Sequence, residues 1–114
     1  MNPVEPVTRL ARPSMWLIKE TVADEFAITI LDLESDRRAR KIARPRQVAM
    51  WLARELTTLS LPAIGLHFGN RDHTTVMHAI GRIAGLMAAD EEFAAKVRLL
   101  WRALACPEPR GMAA

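Results

Sequence analysis

The chain has 114 residues, half of them apolar and a quarter charged, with a formal net charge of +3. That is the size and composition of one folded domain, too hydrophobic for a disordered segment and too short for a two-domain enzyme. The lone cysteine, Cys106, closes no internal disulfide and stands in no Cys/His cluster, which argues against a disulfide scaffold and a cysteine-built zinc site.

Residues 1–13 hold Pro3, Pro6 and Pro13 without apolar periodicity and read as a flexible or extended lead-in. From Ser14, a suitable N-cap, Ile18, Val22 and Phe26 recur at four-residue spacing, with Lys19, Glu20, Asp24 and Glu25 on the other side. The spacing predicts a helix over 14–27. Thr29 and Asp32 have the form of a capping box for a short helical turn that sends Ile30, Leu31 and Leu33 into the core. Pro45 suits the first position of a helix over 45–58, where Val48, Leu52, Leu56 and Leu59 make an apolar stripe.

Ser60 caps a two-turn helix at 60–67, with Pro62 in its first turn; Leu61, Ile64, Leu66 and Phe68 supply apolar contacts, and Gly69-Asn70 ends it. Asp72 caps a longer helix whose inward positions are Val76, Ile80, Ile83 and Met87, and Asp90 caps the last one, with Phe93, Val97, Leu100 and Leu104 inward. Gly81 and Gly85 each cost about 1 kcal/mol relative to alanine inside a helix. No β alternation and no repeat appears. The expected fold is all-α, a compact helical bundle over 14–105 with a loose tail at 106–114.

Charge is unevenly placed. Residues 1–36 carry three basic and seven acidic side chains, residues 37–54 carry seven basic and none acidic, and residues 55–114 carry six of each. The basic stretch contains six arginines, whose planar forks suit phosphates and guanine edges. Composition alone leaves a solvated surface and a polyanion-binding edge equally open.

The helix at 60–67, the Gly69-Asn70 connection and the helix from 72 form a helix-turn-helix by length, apolar spacing and turn chemistry. Many bundles contain such pairs without touching nucleic acid. Arg71-Asp72-His73-Thr74-Thr75 adds the chemistry, because a recognition helix points its first turn at base edges. Asp72 can accept from a cytosine amino group, His73 can bond a base acceptor or pack on a thymine methyl, and Thr74 suits thymine. Arg71 and Thr75 are placed for phosphates, aided by the helix dipole. The bland alternative makes Asp72 a cap and nothing more; it accounts for neither Arg71 nor His73.

Ile64-Gly65-Leu66-His67-Phe68-Gly69-Asn70-Arg71-Asp72-His73-Thr74-Thr75-Val76-Met77-His78-Ala79 resembles the signature of the C-terminal DNA-binding domain of the bacterial chromosomal replication initiator family, DnaA. Ala43-Arg44-Pro45-Arg46-Gln47-Val48-Ala49-Met50 and Leu59-Ser60-Leu61-Pro62 resemble it too, and the similarity runs from about Ile18 to Leu104. The resemblance implies that Arg38 enters the minor groove, that the Arg-Pro-Arg-Gln motif, with Arg44, Arg46 and Gln47, approaches the backbone, and that Arg54 contacts phosphate. It places Asp72, His73 and Thr74 at bases in the major groove, with Arg71 and Thr75 at phosphates. Trp51 stands where the family usually has a small residue, and Gly81 where a basic one is common. The phosphate-cradling Gly-x-x-x-x-Gly-Lys-Ser/Thr loop of the family's motor domain is absent, so nucleotide binding and duplex melting do not carry over.

The reading is therefore sequence-specific binding of double-stranded DNA at short A·T-rich sites like those of the initiator, regulating replication initiation or transcription. It needs no metal or other cofactor. His67, His73 and His78 lie six and five residues apart, which fits neither a helical zinc pair nor a Ser-His-Asp order, so no catalytic site is expected. No run approaches the roughly 18 apolar residues of a membrane span, and no basic-then-apolar leader opens the chain, so a cytoplasmic, nucleoid-associated protein without membrane contact is expected. The alternative is a module that contacts replication or transcription proteins without specific DNA binding. In that case Trp16, Trp51 or Trp101 would be interface residues rather than core anchors.

Overall fold

Ser14 accepts a hydrogen bond from the backbone N–H of Leu17 and starts the first helix, α1 (Met15–Phe26), which ends at Ala27 in the left-handed region. The computed structural model describes residues 12–105 and, among them, contains six helices and no strand. Residues 1–11 of the expected lead-in at 1–13 and the tail at 106–114, with Cys106, lie outside the described residues, and Pro13 at the end of that lead-in is buried. The reciprocal capping box of Thr29 and Asp32 opens α2 (Ile30–Glu34). Then follow α3 (Arg40–Leu56), α4 (Leu61–Leu66), α5 (His73–Ala89) and α6 (Glu91–Ala105). Ser60 caps α4 through the N–H of Ala63, Asp72 caps α5 through that of Thr74, and Asp90 receives the N–H of Phe93 at the start of α6.

The expected helix at 45–58 begins five residues earlier. Ala39, which offers no side-chain cap, opens α3, and Pro45 lies inside it. Proline there leaves the Lys41 carbonyl without its helical donor, an arrangement that ordinarily breaks a helix. Two observations explain why this helix persists. Ile42 is buried in the added turn and Pro45 is itself buried, so burial of apolar surface offsets the missing bond. Arg46, one residue on, is anchored to the backbone that ends α2.

Helix α3 runs through the middle, with α1, α5 and α6 packed on it. Its Val48, Ala49, Leu52 and Ala53 are wholly buried and meet Ile18 and Val22 of α1, Ile64 of α4, Val76 and Ile83 of α5, and Val97 of α6. Phe68, after α4, is the largest fully buried side chain. Two expected core residues are outside: Leu31 is 77% exposed and Leu66 is 67% exposed. A five-residue helix turns only one side inward, and in α2 Leu33 takes it; Leu66 closes α4, where the chain leaves the core. Lys19, expected on the solvent side of α1, is buried beside Glu34. Trp51 and Trp101 are half-buried against the core, whereas Trp16 is exposed. No helix among the described residues is long and apolar enough to cross a membrane.

Candidate nucleic-acid interface

The reading tip is built by two backbone constraints. Gly69 and Asn70 both take positive φ, 80° and 59°, which turns the chain sharply after Phe68. Gly65 lies against the Arg71 backbone: a Cβ there would collide with the Arg71 carbonyl, and the Arg71 N–H donates to the Gly65 carbonyl at 2.8 Å. The close approach of α4 to the entry of α5 therefore needs the missing side chain.

Helix α5 starts with its polar residues outside. Asp72, His73, Thr74 and Thr75 are all exposed. Asp72 accepts from both the N–H and the hydroxyl of Thr74, and these bonds, the hydroxyl's first, hold its carboxyl below the usual 3.8. The imidazole Nδ1 of His73 is 3.7 Å from the same carboxylate. Asp72 is thus an ionised cap at the positive end of a helix, and Thr74 is turned toward it. Both Thr74 bonds fall on Oδ2, which leaves Oδ1, on the His73 side, free to accept, so capping and base contact are compatible.

Beside this tip runs the basic segment. Arg37 reaches Asp32 at 3.4 Å, while Arg38 and Arg40 are exposed. Arg38, Arg40 and Lys41 stand at the positive end of α3, which has no capping side chain, so the dipole opposes folding there and favours an anion. Arg44 is held below its ordinary pKa by desolvation and then by Arg40 and Arg82. Its Nε and the Oε1 of Gln47 are buried without a hydrogen-bond partner. Gln47 borders an open groove of about 800 Å³ between α3 and α5, whose other walls include Arg46, Arg71, Thr75, His78, Gly81, Arg82 and Gly85, and Arg44 stands close to Arg82 of that wall.

Two of the sequence-derived site residues are occupied elsewhere. Arg46 is 5% exposed and donates from Nε to the Leu33 carbonyl and from Nη2 to those of Asp32 and Ser35. Burial, then the nearby Arg71, lowers its pKa to about 10, with Asp36 opposing. Arg46 is thus held by three protein acceptors with only a small edge on the groove wall, so the expected approach to a DNA backbone finds most of its donors already taken. Arg71 donates to the carbonyls of Phe68 and Ser35 and is half-buried, so its guanidinium is committed in part.

The structure brings Arg38, Arg46, Arg71 and the tip of α5 together and sets Gln47 and Thr75 along the adjoining groove, with Arg44 near its Arg82. Arg54 is exposed in the last turn of α3, about 15 Å along the axis from Arg44 by helical rise. Arg40 and Arg82, absent from the expected site, stand beside Arg44. The signal for Arg82 was its spacing: Thr75, His78 and Arg82 continue one face of α5 from the tip, at steps of three and four. His67 is the C-cap of α4, as its place before the turn suggests.

The bacterial dnaA protein helix-turn-helix family matches residues 15–83. The chromosomal replication initiator proteins DnaA of Gluconobacter oxydans and Aromatoleum aromaticum are 56% and 55% identical over 87 residues, 76% of this chain and 18% of each relative. That of Zymomonas mobilis is 53% identical over 85 residues, 75% of this chain and 18% of the relative. A crystal structure of a DNA replication initiation factor superposes with a TM-score of 0.70 at 33% identity, over 77% of this chain and 27% of that one. The chain spans less than a fifth of the curated relatives' length.

Proposed function

The chain belongs to the bacterial DnaA helix-turn-helix family, and from that premise we propose that it binds double-stranded DNA sequence-specifically at short A·T-rich, DnaA-box-like sites. The observation that carries the reading is the tip of α5, where Asp72, His73, Thr74 and Thr75 are all presented to solvent instead of being packed away. In a major groove, Asp72, His73 and Thr74 read base edges, and Thr75 with the outer edge of Arg71 meets phosphates. Arg38, beside Arg71, enters the adjoining minor groove, where a narrow A·T-rich stretch concentrates negative potential.

Gln47 and Arg82 line the groove that flanks the tip and Arg44 stands beside Arg82, so a phosphodiester held there meets two guanidinium groups. Arg40 adds charge at the same end of α3, and Arg54 holds phosphate farther along the helix. Occupancy of such sites would regulate replication initiation or transcription. A contact with replication or transcription proteins would be secondary to the DNA.

The test is titration of a labelled duplex carrying a DnaA-box-like site, and of its scrambled counterpart, at two salt concentrations. The matched duplex should bind about a thousandfold tighter. With about six phosphates engaged, affinity should fall roughly a thousandfold from low to physiological salt. Equal binding to both duplexes, or none, would overturn the reading.

A further inference from the structure

The carbonyl of Ser35 receives two guanidinium groups, Nη2 of Arg46 at 3.0 Å and Nη2 of Arg71 at 2.8 Å. Ser35 is the C-cap of α2 and the first residue of the segment that leads to Arg37 and Arg38. Arg46 comes from α3 and also holds the Leu33 and Asp32 carbonyls, while Arg71 comes from the turn that starts α5 and also holds the Phe68 carbonyl. Gly69 lies so close to the Glu34 carbonyl that a Cβ there would collide with it. The carbonyls that α2 leaves free at its end are thus gripped from both sides, and the helix-turn-helix turn is seated on them. The carbonyl end of a helix is electronegative, which is why two cations can share it.

We propose that Arg46 and Arg71 are positioning residues that tie the segment bearing Arg38 to the first turn of α5, so that minor-groove and major-groove readers keep one fixed separation. This rests on the DNA reading above. Lysine keeps the charge but not the planar fork that spans several acceptors, so it breaks the tie without removing a cation. A direct phosphate contact and a positioning contact then differ in what they change. The first contributes to every duplex and to the salt slope; the second acts only through Arg38.

The experiment is a double-mutant cycle with Arg46→Lys and Arg38→Ala on a matched site with an A·T-rich or a G·C-rich flank, with the salt slope measured for each variant. Arg46→Lys should weaken binding to the A·T-flanked site about tenfold, leave the G·C-flanked site nearly unchanged and keep the salt slope. In the Arg38→Ala background the same change should have almost no effect, because interacting residues are non-additive. Additive losses, equal losses on both flanks or a salt slope lower by about one would overturn the proposal. Should Arg46→Lys fail to fold, the cycle is run with Arg71→Lys, whose tie is to the same carbonyl; because Arg71 also meets phosphate, the coupling to Arg38→Ala and the difference between flanks then decide, and additive or flank-independent losses overturn the proposal. Wild-type protein that binds neither flank defeats the DNA reading itself, whereas wild-type binding with an additive cycle defeats only the positioning role.

Discussion

Lys19 in α1 places its ammonium 2.6 Å from Glu34 Oε2 at the end of α2, and the two sides of this pair are unequally wet: 8% of the lysine side chain is exposed against 37% of the glutamate's. The ammonium also lies 5.2 Å from the centre of the Phe68 ring, so the pair sits beneath the helix-turn-helix turn.

That inequality predicts an asymmetric loss. Removing the lysine leaves a carboxylate that water can reach, whereas removing the glutamate strands a buried ammonium. Lys19→Met should cost about 1 kcal/mol and Glu34→Ala about 3 kcal/mol. Denaturant unfolding at neutral pH checks this, and equal costs would mean that the pair behaves as a surface bridge.

The glycines divide into two kinds. Gly65→Ala should destabilise by more than about 3 kcal/mol, because a backbone carbonyl occupies the space the methyl needs. Gly81 and Gly85 face open space on α5, so replacing either by alanine should stabilise by about 0.5–1 kcal/mol. Thermal unfolding of the three variants decides it; a loss at Gly81 or Gly85 would show that the groove wall requires glycine.

Base-reading and phosphate-holding residues should separate in binding assays. His73→Ala or Thr74→Ala should lose about 1–3 kcal/mol on a matched site and flatten base preference. Arg54→Ala and Arg82→Ala should weaken matched and scrambled duplexes alike and lower the salt slope by about one unit each. Identical behaviour of the two groups would refute the division.

Acid should weaken the start of α5. Asp72 titrates below its unfolded value of 3.8 because Thr74 hydrogen-bonds the ionised form. In that window the unfolded chain binds more protons, so the contribution is present above 3.8 and is lost as pH falls through the lower folded value. Asp72→Asn keeps a capping oxygen without the titration and should flatten the acid limb of Tm against pH, leaving the share that belongs to Asp32. Superimposable acid limbs for the variant and the wild type would exclude Asp72 as a contributor.

Much of the architecture was legible one helix at a time. Ser14, Thr29, Ser60, Asp72 and Asp90 all cap as their residue type and position suggest, and Gly69-Asn70 makes the turn. The start of α3 was misplaced because Pro45 is the stronger local signal, and the opposing effect, burial of Ile42 and Pro45 together, arises only when other helices cover them. Arg54 and Arg46 look alike in the basic run, yet one is exposed and the other is buried on three carbonyls.

Sequence alone therefore determined the side-chain caps that open α1, α2, α4, α5 and α6, the turn and the polar tip of α5, since caps and turns are settled by atoms within a few residues of one another. Tertiary structure decided which cations face solvent and which serve the fold. Lys19 meets Glu34 across 15 positions and Arg71 meets Ser35 across 36. A guanidinium offers the same donors to a phosphate as to a carbonyl, and only the folded chain sets which acceptor is within reach.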